Sequence, residues 1–399
     1  MRRPIFLLAS CLLVSACSLL FGTGAEQDAL DAGTTPDAST EPDASAEPDG
    51  GGFTLGALTN VTTGLTDSTA PKVAWDGANY RVVWNEALGV GDSILGATMD
   101  DAVMPVVLAS TTDSGPNVSA IWTGDALAVS WLEGSASQRE TKFGLFNSAN
   151  ILEGSVTDPS NGVIGQLSRV SIATNGQRIG VAWARLVATL EIYLGIVDAS
   201  GAVVTSSIVI ADGGNTPALA ANESGFGLVW QGLDAGEATV FYMRLSENGQ
   251  PVSGSLPVSQ GLAIRPRIVA AGSDYGVAWH EVLETAGGEN IFFARVADAS
   301  VVGTPVQVSD GDFPATEADI VWNGAGYGIA WKELRNGRQE IMFREFDPMG
   351  APLGAEATLL SEGAGNSSAV SLAYSGSSYA VSWQKDAGSR LIQFRTVSP

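Results

Sequence analysis

The sequence predicts an all-β protein, a seven-bladed β-propeller made of four-stranded antiparallel blades. Three observations predict this fold. A phrase ending in tryptophan recurs seven times at intervals of 47 to 52 residues, the length of one blade. Each copy contains apolar runs that alternate with period two, the pattern of half-buried strands. The 48 glycines, many in Asn-Gly, Asp-Gly or Ser-Gly pairs, supply the tight turns that short strands need.

Each copy begins with a predicted hairpin. A first strand such as "ADIVW" leads through a turn pair such as Asn323-Gly324 into the strand that ends in the repeated tryptophan. A third strand such as "EIMFREF", a turn such as "DPMGAP" and a fourth strand complete the unit. The repeated residues, predicted to form the blade core, are Trp84, Trp131, Trp183, Trp230, Trp279, Trp331 and Trp383.

Alternation within the tryptophan strand predicts how neighbouring blades stack. In the fifth copy one face carries Tyr275, Val277 and Trp279, and the other carries only Gly276 and Ala278. A large face packs closely against a small face of the next blade, whereas two large faces would collide.

The two ends of the repeat array predict how the ring closes. The last copy stops after its third strand, "RLIQFRTVSP", and the segment "FTLGALTNV" before the first copy has the pattern of a lone fourth strand. The N-terminal strand is therefore predicted to complete the seventh blade and to remove two exposed edges. The propeller is predicted to span residues 53–399 and to be a monomeric ring.

The first 52 residues have a different character. Residues 1–16 have the pattern of an export signal, with Arg2 and Arg3 before an apolar run that is too short for a comfortable bilayer span. Residues 17–52 contain eight acids, no base and few apolar side chains. They are predicted to begin with a lipidated cysteine and to form a disordered acidic tether.

The stretch Val14-Ser15-Ala16-Cys17 resembles the lipobox of bacterial lipoproteins. This resemblance implies cleavage before Cys17, lipidation of its thiol with acyl chains such as palmitate, and anchoring in a membrane. In that family a serine at the next position, here Ser18, accompanies sorting to the outer membrane. The whole chain resembles bacterial outer-membrane-type lipoproteins with a seven-bladed propeller, so a lipid anchor on the periplasmic or cell-surface side is expected.

Charge and cysteine content limit the possible partners. A net charge of −23 disfavours nucleic acid and anionic lipid surfaces, because both need basic patches. Cys11 and Cys17 are the only cysteines; cleavage would remove the first and lipidation would occupy the second. No disulfide is therefore expected in the mature domain.

A candidate acidic face follows from the repeats. The second position after the tryptophan is acidic in four copies, and loops that lead into the blades carry further acids. In propellers both positions open on one face, which predicts a site for a divalent cation such as Ca²⁺ or for a cationic partner. Solvation of strand ends is the alternative explanation, and no EF-hand loop or other cofactor motif is present. The acids are Glu86, Glu133, Glu281, Glu333, Asp67, Asp113, Asp212 and Asp310.

His280, the only histidine, directly follows Trp279. The same position holds leucine, alanine or lysine in other copies, so His280 is predicted to be an ordinary strand-end residue. Functional asymmetry is expected where copies deviate from the repeat. The fifth copy deviates with the unusual "AIRPR", which contains Arg265 and Arg267.

The sequence favours a non-enzymatic binding or scaffold module at the cell envelope, with a protein or glycan partner. No serine-nucleophile elbow, zinc-protease motif or phosphate-binding loop is present. The alternative is a hydrolase or lyase that acts on a polysaccharide through two of the four strand-end glutamates, since glycosidases use paired carboxylates about 5 to 9 Å apart.

Overall fold

The computed structural model describes residues 52–88, 91–100, 103–111, 117–283, 288–297 and 300–399. All of them belong to one unit, residues 47–399. Cys17, Asp113, the export signal and almost all of the tether lie outside the described residues, so the lipid anchor and the boundaries at residues 16 and 52 stay predictions. Within the described part of the chain, no helix is long and apolar enough to cross a membrane.

The described chain contains 29 strands. Two short strands come first: β1 (Thr54–Leu55) and β2 (Thr59–Asn60). Blades 1 to 3 consist of β3 (Asp67–Trp75), β4 (Tyr80–Ala87), β5 (Asp92–Met99), β6 (Val106–Thr111), β7 (Val118–Trp122), β8 (Leu127–Glu133), β9 (Glu140–Phe146), β10 (Leu152–Thr157), β11 (Gln166–Thr174), β12 (Arg178–Leu186), β13 (Leu190–Asp198) and β14 (Val203–Asp212). Blades 4 to 7 consist of β15 (Asn215–Asn222), β16 (Gly225–Asp234), β17 (Glu237–Leu245), β18 (Leu256–Pro257), β19 (Leu262–Ala271), β20 (Asp274–Val282), β21 (Glu289–Ala297), β22 (Ser300–Gln307), β23 (Ala315–Trp322), β24 (Tyr327–Arg335), β25 (Arg338–Phe346), β26 (Pro352–Leu359), β27 (Asn366–Tyr374), β28 (Tyr379–Asp386) and β29 (Arg390–Ser398).

The predicted fold class is confirmed. Six blades are four-stranded antiparallel sheets in chain order, and the seventh contains β27, β28 and β29. Both β1 and β2 pair with β29, through Thr54 opposite Ser398 and Thr59 opposite Phe394. The N-terminal segment therefore closes the ring as the sequence predicts. The first strands of successive blades contact one another, and β27 of the last blade contacts β3 of the first.

Large faces pack on small faces between blades. The tyrosine ring at the start of one tryptophan strand lies against the glycine of the preceding blade, as Tyr275 does on Gly227 and Tyr379 on Gly328. A Cβ atom added to Gly328 would lie 2.5 Å from the Tyr379 ring. None of the seven repeated tryptophans is more than 3% exposed, which places them in the core and not on a binding surface.

The first strand of each blade lies next to the central channel, and we call it the inner strand. The inner strands of six blades share a bulge near their first residues. In blades 1 and 3 to 7 the register with the second strand slips at this point. One residue in each bulge has a φ between 49° and 55°, in the left-handed region that is uncommon outside glycine. A bulge bends its strand and re-aims the neighbouring side chains. The bulged residues are Ala70, Arg169, Thr216, Arg265, Glu317 and Ala369.

We expect Gly328→Ala to lower the free energy of unfolding by about 1 to 3 kcal/mol, because the new methyl group would collide with Tyr379 and force two blades apart. Denaturant unfolding followed by tryptophan fluorescence measures this. Gly254→Ala is the control, since nothing lies within 4 Å of its new Cβ atom. Equal stability of the two variants would contradict the packing argument.

Candidate functional site

Three of the four predicted strand-end glutamates accept a hydrogen bond from the tryptophan two residues earlier. Residues i and i+2 of a strand lie on one face, so this contact could have been predicted from the pattern Trp-x-Glu. Glu86 and Glu333 are buried, and Glu281 is half-buried. Each carboxylate therefore has a structural role. The distances from indole Nε1 to Oε2 are 2.7 Å for Trp84–Glu86, 3.1 Å for Trp279–Glu281 and 2.8 Å for Trp331–Glu333.

The other predicted acids are spread around the ring. Glu133 is half-buried, and the Nε1 of Trp131 has no hydrogen-bond partner. Asp67, Asp212 and Asp310 are exposed, and Asp310 pairs with Arg344. Among the described residues, no three carboxylate, histidine or cysteine side chains are grouped to hold a metal ion. A Ca²⁺ site on the candidate acidic face, to which Asp113 would also belong, stays a prediction.

His280 is buried at the junction of blades 5 and 6. Only 3% of its surface is exposed, and neither ring nitrogen has a hydrogen-bond partner. Burial, followed by the charge of nearby Arg265, lowers its pKa to about 3. The imidazole is therefore neutral at physiological pH and is a poor proton carrier there.

The inner strands bring together charged side chains from blades 1, 3, 5 and 6. Blades 1, 3 and 5 are separated by other blades in the ring. Their side chains can approach one another only in the central channel, which the inner strands surround. The pKa of Lys72 on blade 1 is lowered to about 8, first by burial and then by the charge of Arg267 on blade 5. We call the group the channel cluster; its members are Lys72, Arg169, Arg265, Arg267, Glu317, Asp319 and Lys332.

Glu317 is the most heavily bonded acid of the channel cluster. Its Oε1 accepts hydrogen bonds from Arg265 Nη1 at 3.0 Å and from Lys332 Nζ at 3.1 Å. Its Oε2 accepts the backbone N–H of Ala369 on blade 7 at 2.9 Å. Burial alone would raise the pKa of Glu317, but Lys332, the Ala369 N–H and Arg265 outweigh it and lower the pKa to about 2. The carboxylate is therefore always ionised near neutral pH.

Asp319 is the second acid of the channel cluster. Its Oδ1 lies 3.8 Å from Arg267 Nε, and its Oδ2 accepts the backbone N–H of Leu372 at 2.9 Å. Among the described residues, neither Lys72 nor Arg169 forms an ion pair. Five cations thus face two acids, and the channel cluster carries a net positive charge in a strongly acidic protein.

Arg265 and Arg267 deviate from the repeat in the sequence, whereas the rest of the channel cluster was not predicted. A signal for part of it exists in the repeats. Lys72, Arg267 and Asp319 occupy the same position of their first strands, opposite the residue before the repeated tryptophan. That position is charged in three copies and small in the other four.

Comparison with known proteins identifies the fold alone. No family model and no curated protein matches this chain. A prolyl endopeptidase is similar in structure with a TM-score of 0.52 and 14% identity, over 82% of this chain and 46% of that one. This chain therefore spans less than half the length of that protein. The β-propeller domain of the Trilobed protease from Pyrococcus furiosus matches with a TM-score of 0.51 and 7% identity, over 83% and 93% of the two chains.

A sialidase from Trypanosoma rangeli has a TM-score of 0.46 at 11% identity, over 70% of this chain and 55% of that one. This likeness is too weak to carry an argument. At these identities the similar structures show the propeller fold alone, and unrelated functions share that fold.

We expect Glu333→Leu to lower the free energy of unfolding by about 1 to 3 kcal/mol, because it leaves the buried Nε1 of Trp331 without an acceptor. Glu133→Leu is the matched control, since the Nε1 of Trp131 already has no partner. Its effect should stay within about 0.5 kcal/mol. Chemical denaturation measures both; a larger loss in the Glu133 variant would refute the assigned role.

Proposed function

We propose that this protein is a non-enzymatic binding module that a lipid on Cys17 holds at the outer membrane through an acidic tether. One observation carries the choice of binding over catalysis. Three of the four strand-end glutamates that could serve a hydrolase are hydrogen-bonded to the blade core, whereas a group of partly exposed cations lies in the channel.

A carboxylate that caps a buried indole is poorly suited to acid or base catalysis. A glycosidase needs one carboxyl group to give a proton and another to attack or to activate water. Glu86 accepts from Trp84 and also from Ser68 at 2.6 Å, and Glu333 accepts from Trp331 and pairs with Arg335. These bonds fix the side chains in the blade.

Histidine chemistry is equally disfavoured. A serine or cysteine nucleophile needs a base whose pKa lies near the working pH. His280 is the only histidine in the chain, and its pKa is about 3. It could neither activate a nucleophile nor return a proton to a leaving group near neutral pH.

The ring is suited to binding because its scaffold is closed and its channel is accessible. Every strand of the described residues lies within 54–398, and all seven blades fall within the unit of residues 47–399. Exposed fractions of 33% for the Arg265 side chain and 28% for Arg267 allow a ligand to reach them. A flexible tether would let such a ring search the space near the membrane.

We expect residues 47–399 to release no product from neutral or acidic polysaccharides such as dextran, pectate and alginate. Reducing ends and the absorbance of unsaturated sugars report hydrolase and lyase activity. Turnover that is retained by Glu317→Gln and lost in Glu133→Gln or Glu281→Gln would instead establish the alternative function of polysaccharide hydrolase or lyase.

We expect the full chain to be found in the outer-membrane fraction of a Gram-negative host and to incorporate an alkyne analogue of palmitate. Cys17→Ser removes the thiol that would carry the lipid, so this variant should lose the label and move to the soluble fraction. Labelling of the Cys17→Ser variant equal to that of the unaltered chain would rule out this anchor.

A further inference from the structure

We propose that the central channel binds a polyvalent anion, a group with several carboxylate, phosphate or sulfate oxygens, through Lys72, Arg169 and Arg267. This inference rests on the proposed binding function and supplies its ligand class. It concerns the channel itself and not the candidate acidic face.

Lys72 occupies the inner-strand position opposite the residue before the repeated tryptophan. The role of this position in other blades shows why a lysine there is unusual. In four blades this position carries an oxygen that accepts a backbone N–H from the inner strand of the next blade. Lysine and arginine side chains have no acceptor, so Lys72 and Arg267 cannot make this interblade bond. The four bonds join Ser119 to Ile172, Ser171 to Leu219, Asp319 to Leu372 and Ser371 to Val73, at 2.9 to 3.3 Å.

The positive charge of the channel cluster is only partly compensated by protein, because two acids face five cations. Both acids are already bonded to cations and to backbone N–H groups, and Lys72 and Arg169 have no ion pair among the described residues. The Arg169 residue is exposed to solvent, yet neighbouring protein and the nearby Arg265 and Arg267 lower its pKa to about 10. Partly desolvated cations that repel one another destabilise a fold until an anion joins them.

The geometry favours an anion with several oxygens. Cations from blades 1, 3 and 5 approach the channel from three directions, and Arg265 and Lys332 already share Glu317. Arginine presents a planar fork of donors that matches the oxygens of carboxylates and phosphates. A monovalent ion would leave most of the positive charge unbalanced, whereas a group with two or three charges would balance it.

Lys72 makes the proposed binding depend on pH. The charged groups that face it are Arg267, Asp319, Arg169 and Glu317, and its pKa is about 8. Below this pH the ammonium group is charged and attracts the anion. As the pH rises through about 8 the charge is lost and binding weakens, and a bound anion raises the pKa of Lys72, so protons are taken up on binding.

We would test the inference by calorimetric titration of residues 47–399 with sodium sulfate, trisodium citrate and sodium acetate at low, constant ionic strength. Sulfate keeps its charge between pH 6.5 and 9, so any pH dependence belongs to the protein. We expect one site, tighter binding of sulfate or citrate than of acetate, and weaker binding at pH 9. Binding of sulfate but not of citrate would indicate that the natural ligand carries a tetrahedral oxyanion. Binding of citrate but not of sulfate would indicate a ligand with several carboxylates.

Lys72→Met and Arg169→Gln should each weaken binding of the tighter anion by about tenfold or more, the effect of losing one charged contact. Arg390→Gln removes an exposed cation outside the channel cluster and should change the affinity less than about twofold. Without anion, Lys72→Met should unfold at the same or a higher temperature, because it removes uncompensated charge. A merely structural lysine would lower that temperature.

The inference is overturned if sulfate and citrate give only the heat of dilution, or if they bind equally well to Lys72→Met, Arg169→Gln and Arg390→Gln. A ring that binds no anion, yet is anchored through Cys17 and degrades no polysaccharide, would refute the channel site alone. Turnover of a polysaccharide would refute the proposed function, whatever the anion result.

Discussion

The stacking of a tyrosine ring on a glycine of the preceding blade is the contact on which the ring depends. It recurs between blades 4 and 5, 5 and 6, and 6 and 7, where Gly227, Gly276 and Gly328 receive the rings. Seven blades close into a ring only when each interface has nearly the same width. Bulky side chains on both faces would widen one interface and open the ring at another. The absence of a side chain at these glycines is therefore as important as the buried tryptophans.

Closure creates the channel, and the inner strands then make a second set of contacts between blades. Serine and aspartate oxygens on one inner strand accept N–H groups from the next, which would otherwise lack partners because the inner strand is the edge of its blade. On the second strand of each of three blades, a glutamate accepts a hydrogen bond from the buried indole N–H of the repeated tryptophan. Contacts repeated around the ring are explained by the fold alone.

Residues that differ from the type found at the same position in other blades are not explained by the fold. Lys72 and Arg267 replace an acceptor with a cation, and Arg169 places a guanidinium at a bulge that holds alanine in blades 1 and 7. Lys72 and Arg267 lack the interblade hydrogen bond of four other blades, and all three residues add positive charge to one place in an acidic protein. Proteins commonly tolerate a loss of stability at sites that bind ligands.

The sequence by itself determined the blade number, the strand order, the closure by the N-terminal segment and the burial of the tryptophans. These features depend on local alternation and on a repeat length, which are both visible along the chain. It also marked Arg265 and Arg267 as deviations. The pattern Trp-x-Glu placed Glu86, Glu281 and Glu333 on the same strand face as an indole. Only the tertiary structure decided that Lys72, Arg169, Glu317 and Asp319 meet in the channel. Their convergence joins residues hundreds of positions apart, and bulges shift the register so that alternation no longer predicts where a side chain lies.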